Sequence, residues 1–168
     1  MNVEIRAESA FDARAIEAVT VAAFHDAPHT SHTEHHIVDA LRRAGELTVS
    51  LVAECNGEIV GHVAVSPVTI SDGTPDWYGL GPISVLPGYQ RRGIGSQLVA
   101  AALEALRMRG AAGCVLLGEP AFYGRFEFKA EPQLKLPGVP PEYFQALAFG
   151  PSRPQGTVAY HAAFDARA

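Results

Sequence analysis

Apolar and polar positions along this chain follow two periods, and the switches between them mark out the elements. Residues 3–7 alternate with a period of two and predict a first strand. Ser9-Ala10-Phe11-Asp12 has capping-box spacing, and Ile16, Val19, Ala23 and Phe24 then share one helical face until Pro28. A second helix is predicted over 33–44, closed by Gly45. Two strands, 47–54 and 59–70, flank Asn56-Gly57, a strong hairpin turn signal. A turn at Asp72-Gly73 leads into another strand, apolar from Leu80 to Leu86 but interrupted by Pro82. Ile94, Leu98, Ala102, Ala105, Leu106 and Arg109 then recur at helical spacing, with Gly110 as the stop. Residues 113–118 read as a short buried strand, so strand, helix and strand imply a right-handed parallel crossover.

The last third is less regular. A strand is expected from Phe128 to about Leu136. Residues 137–154 are rich in proline, yet Tyr143, Phe144, Leu147 and Phe149 argue for a packed excursion and not a free linker. Residues 157–164 alternate and predict the last strand. No repeat or internal boundary appears, so residues 1–168 are expected to form a single domain. The expected architecture is a mixed α/β fold around a mostly antiparallel sheet that contains one parallel pair.

Composition narrows the function. With 48% hydrophobic and 18% charged residues the chain is globular. No apolar run approaches the ~20 residues of a membrane span, and the first residues show no targeting core, so a cytoplasmic protein without a membrane partner is expected. A net charge of −5, with only Arg91, Arg92, Arg107 and Arg109 as a basic group, argues against a nucleic-acid partner. Cys55 and Cys114 both lie in apolar strand-like runs and are expected to be buried thiols, not nucleophiles. Five of the seven histidines fall between His25 and His36. His32, His35 and His36 share a helix side that could hold a metal, but a polar helix face is the stronger reading, and no metal is expected.

The stretch with the clearest chemistry is Gln90-Arg91-Arg92-Gly93-Ile94-Gly95. It joins a strand to a helix start, where the first N–H groups lack helical partners and the helix dipole adds positive charge. Glycines at 93 and 95 would let a phosphate reach those N–H groups. The stretch is neither G-x-G-x-x-G nor a Walker A loop.

Q-x-x-G-x-G resembles the acetyl-CoA pyrophosphate loop of the GNAT superfamily of N-acetyltransferases. Two further segments, Leu80-Gly81-Pro82-Ile83-Ser84-Val85 and Gly118-Glu119-Pro120-Ala121-Phe122-Tyr123-Gly124-Arg125-Phe126, are most similar to the bacterial YhbS-like group of that superfamily. The resemblance implies a GNAT-like fold in which the strand carrying Pro82 splays from its parallel neighbour. It implies acetyl-CoA as cosubstrate, with its pyrophosphate on the N–H groups of Arg91, Arg92, Gly93, Ile94, Gly95 and Ser96 and its pantetheine along Ile83, Ser84 and Val85. It implies a small-molecule or peptide amine as acceptor, a backbone N–H near Val85 as oxyanion donor, and Tyr123 as the acid that protonates the leaving thiolate. Glu119, His62 and Glu34 are candidates for the base, and none is assigned. A homodimer is compatible with this reading.

Two positions depart from the family pattern: Glu127 stands where glycine is usual, and the asparagine that often precedes the tyrosine is absent. Two classes stay open, an acetyl-CoA-dependent N-acetyltransferase and a non-catalytic acyl-CoA-binding regulator of the same fold. A different phosphate-binding α/β protein is disfavoured by the Pro82 strand.

Overall fold

A computed structural model describes residues 2–28 and 30–167. A sheet of eight strands runs through the molecule, with helices on both faces. The strands are β1 (Val3–Ala7), β2 (Val49–Cys55), β3 (Glu58–Ile70), β4 (Trp77–Val85), β5 (Gly113–Leu117), β6 (Leu134–Lys135), β7 (Phe144–Ala148) and β8 (Gly156–Tyr160). The helices are α1 (Ala13–Phe24), α2 (Glu34–Ala44), α3 (Ile94–Met108) and the single turn α4 (Pro120–Tyr123). The spatial order is β1-β2-β3-β4-β5-β7, and β8 pairs with the far end of β3 and with β6. Among the described residues only β4–β5 and the two-residue β6–β8 pair are parallel. This is the mixed, largely antiparallel sheet expected, with a second short parallel pair added.

Side-chain alternation along β2 and β3 assigns the faces. Ala53, Val63 and Val65 pack with Leu98, Val99, Ala102 and Leu106 of α3. Val52 and Ala64 meet Ile16 of α1 and Val38 of α2 on the other side. Gly61 admits α3 closely, since a Cβ there would stand 3.1 Å from a Leu98 methyl.

Local chemistry explains most boundaries. Asn56 and Gly57 both take left-handed backbone, with φ of 52° and 79°, as a two-residue hairpin turn of this hand requires. Gly45, at φ 73°, ends α2 by returning its N–H to the carbonyls of the last turn. The capping box before α1 is only half formed. The Asp12 carboxylate accepts the Ser9 N–H at 2.6 Å, while the Ser9 hydroxyl accepts from Phe11 and not from Asp12. Asp12 instead also holds Arg6 at 2.7 Å, which keeps its carboxyl well below the usual carboxylate range.

The structure corrects the last third of the chain. In place of a strand from Phe128 to Leu136 there is an isolated bridge, Lys129 to Ala146, and the short β6. The proline-rich excursion contains a full strand, β7, which pairs antiparallel with all of β5 and buries Phe144 and Ala146. The final strand stops at Tyr160, and a 3-10 turn, Ala162–Asp165, follows. Glu127 sits at φ 75°, a backbone region that favours glycine. That geometry accounts for the glycine of the family pattern, and the glutamate here adopts it without one.

Pro82 marks the opening in the sheet. β4 pairs with β5 only from Trp77 to Gly79, and beyond Gly79 it pairs with β3 alone. Gly81, at φ 142°, precedes Pro82 through a cis peptide, and the β3–β4 register shifts between Val63 and Val65. The N–H of Leu86 bonds to the Val60 carbonyl on β3. Alternation in an antiparallel ladder therefore turns the N–H groups of Ile83 and Val85 the other way, into the gap beside β5.

Candidate functional site

A cavity of about 510 Å³ occupies that gap. Ile83, Ser84 and Val85 form one wall, Arg91, Gly93, Gly95 and Ser96 a second, and Phe122, Tyr123 and Arg125 a third. Three segments far apart in sequence thus meet at one place: the open half of β4, the start of α3, and α4 with its following turn.

The loop between β4 and α3 is held by its own backbone. A 3-10 turn, Pro87–Tyr89, leads to Gln90, whose side-chain amide donates to the Val85 carbonyl at 3.0 Å. Arg91 and Gly93 both take positive φ, 65° and 81°, so the chain enters α3 through two left-handed residues. No side chain caps α3. Its first N–H groups are those of a helix start left to a ligand or solvent. A Cβ at Gly93 would meet nothing within 4 Å, and one at Gly95 would come no nearer than 3.9 Å to Phe122. Both missing side chains therefore face open space and not packed protein.

Two expected contacts fall elsewhere. Ile94 is 1% exposed and its side chain belongs to the core, so only its backbone is left for a ligand. The Arg92 guanidinium lies 5.7 Å from the Tyr89 ring centre and does not line the cavity. Four lining residues were not among the contacts expected from the sequence: Tyr89, Gln90, Phe122 and Arg125. Arg125 lies over the Phe122 ring at 4.6 Å and donates to the Ser96 hydroxyl at 3.2 Å, placing a cation beside the start of α3. Only the cationic residue type in the Y-G-R-F segment hinted at this. The separation of 29 positions between Arg125 and Ser96 hides the proximity.

Tyr123 is 8% exposed. Its ring meets Phe122 edge-on at 4.8 Å and rests on Gly118, where a Cβ would come within 2.2 Å of it. Burial pushes the phenol up to about 12, so it keeps its proton at neutral pH. Among the described residues no group hydrogen-bonds its hydroxyl. Cys55 and Cys114 are both buried thiols, and burial drives Cys114 above its ordinary pKa.

The three base candidates differ in setting. Glu119 is exposed. Glu34 accepts from the Thr30 hydroxyl at 2.7 Å through one oxygen, and its other oxygen is buried without a partner. His62 is fully buried on β3, with Nε2 2.8 Å from the Ser50 hydroxyl. The histidine cluster does not converge. His32 Nε2 meets the His25 carbonyl at 3.2 Å, the His35 and His36 rings lie 3.9 Å apart and tilted by 40°, and His29 lies outside the described residues. Among the described residues no group of three or more His, Cys, Asp or Glu side chains could hold a metal ion. No described helix is long and apolar enough to cross a membrane.

Known proteins resemble this chain in sequence and in fold. The profile of the Acetyltransferase (GNAT) family matches residues 13–128. The uncharacterized N-acetyltransferase YhbS of Escherichia coli K12 is 38% identical over 126 residues, covering 74% of this chain and 72% of that one. A GNAT family acetyltransferase from Brucella melitensis, solved in complex with acetyl-CoA, superposes with a TM-score of 0.87 at 52% identity, over 98% of this chain and 99% of its own. The E. coli YhbS structure, in complex with CoA, gives 0.89 at 34% identity, over 98% of this chain and 93% of that one.

Proposed function

The chain belongs to the acetyltransferase (GNAT) family and is an acyltransferase, and from that premise we propose that its β4–α3 cavity transfers acetyl from acetyl-CoA directly to an amine. The observation that carries this reading is the meeting of an unpaired strand half, an uncapped glycine-bearing helix start and a protonated, buried tyrosine around one cavity. The pyrophosphate lies on the N–H groups of residues 93–96, with Arg91 and Arg125 adding charge. The pantetheine arm runs along Ile83, Ser84 and Val85 and pairs with the backbone groups that β5 leaves open. A small-molecule or peptide amine attacks the thioester carbonyl. The Val85 N–H, turned into the gap, stabilises the developing oxyanion. Tyr123 protonates the departing thiolate. Residues 1–168 act as a single cytoplasmic domain.

Release of CoA thiol from acetyl-CoA is to be measured across a panel of alkylamines, polyamines, amino acids and short peptides. At least one amine is expected to give turnover well above the amine-free rate. Acetyl-CoA binding without turnover on any of them would favour the non-catalytic regulator. Gly95→Val tests the phosphate site with little cost to folding, because its side chain would extend into the cavity. It should weaken acetyl-CoA binding at least about tenfold by calorimetry, a loss of ~1.4 kcal/mol, and unchanged affinity would remove the site.

A further inference from the structure

Two buried polar atoms stand across the β3–β4 ladder without partners. His62 and Ser84 are register partners. Directly opposed side chains leave the same face, with Cβ atoms ~5 Å apart. His62 Nδ1 and Ser84 Oγ are both buried and unpaired. Ser84, 2% exposed, also lines the cavity. Buried polar atoms nearly always find a partner, so two orphans on opposed residues beside a reaction site call for a reason.

The rest of the network fixes where the proton on His62 sits. Arg42 donates to both oxygens of Glu8, at 2.9 and 3.0 Å, and holds that carboxylate ionised. An ionised carboxylate only accepts, so the Ser50 hydroxyl spends its single proton on Glu8. The contact between Ser50 Oγ and His62 Nε2 must then be a bond donated by Nε2–H. Two charged groups act on this ring, Glu8 from the β1–α1 connection and Arg42 from α2, with opposite signs. Burial outweighs both and lowers the ring pKa to about 4, so the imidazole is neutral at pH 7. A neutral ring with its proton on Nε2 presents a bare lone pair at Nδ1, on a residue whose register partner is Ser84.

We propose that His62 is the proton-relay residue of acetyl transfer, its Nδ1 taking, through the Ser84 hydroxyl, the proton that the attacking amine loses. This rests on the reading of the cavity as the acetyl-transfer site. As the new N–C bond forms, an amine N–H bond breaks, and Ser84 Oγ gains that proton while passing its own to Nδ1. The imidazolium so formed is held by Nε2–H, Ser50 and the Glu8 carboxylate in series. The C–S bond breaks, and the thiolate takes its proton from Tyr123. After the products leave, Nδ1 returns its proton through Ser84 to solvent and Tyr123 regains one. Ser84 and His62 end unchanged.

Two readouts test the relay. In the protein carrying ¹⁵N-labelled histidine, the His62 resonances between pH 5 and 9 should report a protonated Nε2 and a bare Nδ1, and Ser84→Ala should move the Nδ1 signal. A ring protonated at Nδ1, or an Nδ1 signal indifferent to Ser84→Ala, overturns the proposal whether or not an amine acceptor is known. For an amine that the panel identifies, Ser84→Ala and His62→Gln should each lower kcat by about 10²–10⁴-fold, far more than either changes acetyl-CoA affinity by calorimetry. Ser84→Thr, which keeps the hydroxyl, should restore most of kcat. Near-normal kcat in Ser84→Ala, or a Thr variant as slow as the Ala variant, overturns the relay. Failure of the wild-type protein to bind acetyl-CoA or to turn over any amine is a different outcome, and refutes the functional reading beneath it.

Discussion

The two faces of β3 follow opposite rules. Toward α3 the strand shows Gly61, Val63 and Val65, with no polar side chain among them and both valines fully buried. Toward α1 and α2 it shows His62, Ala64 and Ser66, and each of the two polar residues carries a buried atom with no partner. An unsatisfied buried polar group costs ~1–3 kcal/mol, so the second face gives up stability that the first one keeps. One side is packed to hold the fold, and the other holds polar atoms dry beside the opening in the sheet. Tyr123 is the exception on the α3 side: it packs in that core cluster and also lines the cavity. In the proposed reaction the sheet separates the proton donor, Tyr123, from the proton acceptor, His62.

Removing that exception gives the largest expected change. Tyr123→Phe keeps the ring against Gly118 and Phe122 but deletes the proton, and turnover of an identified amine should fall about 10²–10⁴-fold with acetyl-CoA affinity little changed. Near-normal turnover with chemistry limiting the rate would reduce Tyr123 to a packing residue. On the same face Leu98 is fully buried in the α3 cluster. Leu98→Ala should cost about 2–5 kcal/mol in urea denaturation, and a loss below 1 kcal/mol would mean that this face is not the closed core described.

The polar face predicts an acid sensitivity of its own. His62 titrates near 4 in the folded chain against about 6.5 when unfolded, so between those values the unfolded state binds more protons. Its contribution is complete above pH 6.5 and is lost as pH falls through the folded value. By pH 4.5 the ring alone should have removed about 2–3 kcal/mol, and His62→Gln should flatten the stability profile between pH 7 and 4.5. A variant with the wild-type slope would locate the sensitivity in other groups. The smallest effect belongs to Ser66→Ala, which deletes an unpartnered hydroxyl. Its stability should stay within about 1 kcal/mol of wild type or rise, and a larger loss would reveal a partner for that oxygen.

What could be read from the sequence was what depends on neighbours in the chain. The Asn56-Gly57 hairpin and the glycine-bearing start of α3 each follow from one or two residues with unusual backbone freedom, while Pro82 marked an irregular strand whose opening was implied by the family resemblance. Strand β7 could not be read that way. Phe144–Ala148 lies among prolines, and it is a strand because β5 offers it a full antiparallel ladder. The site divides in the same manner. Its cradle, Ile83 to Ser96, is local and was expected. Arg125 against Ser96, and Glu8 with Arg42, Ser50 and His62, join residues tens of positions apart, and only the topology brings them together. Ile94 shows the converse: it stands within the motif at the start of α3, while its side chain obeys the core.

The parting of β4 from β5 beyond Gly79 also sets what kind of molecule can enter there. Unpaired backbone at the rim of a sheet invites another protein strand, a hazard that folds must otherwise block. Here the vacant bonding positions lie in the interior, with β3 behind them, α4 beside them and the α3 loop across one end. A polypeptide strand brings side chains on both faces and needs a free margin to dock along. A slender linear chain bearing amides needs neither, and can take up the open valences one after another. The same gap that interrupts the ladder thus suits a slender guest better than another strand, which is the shape that the pantetheine arm has in the proposed reaction.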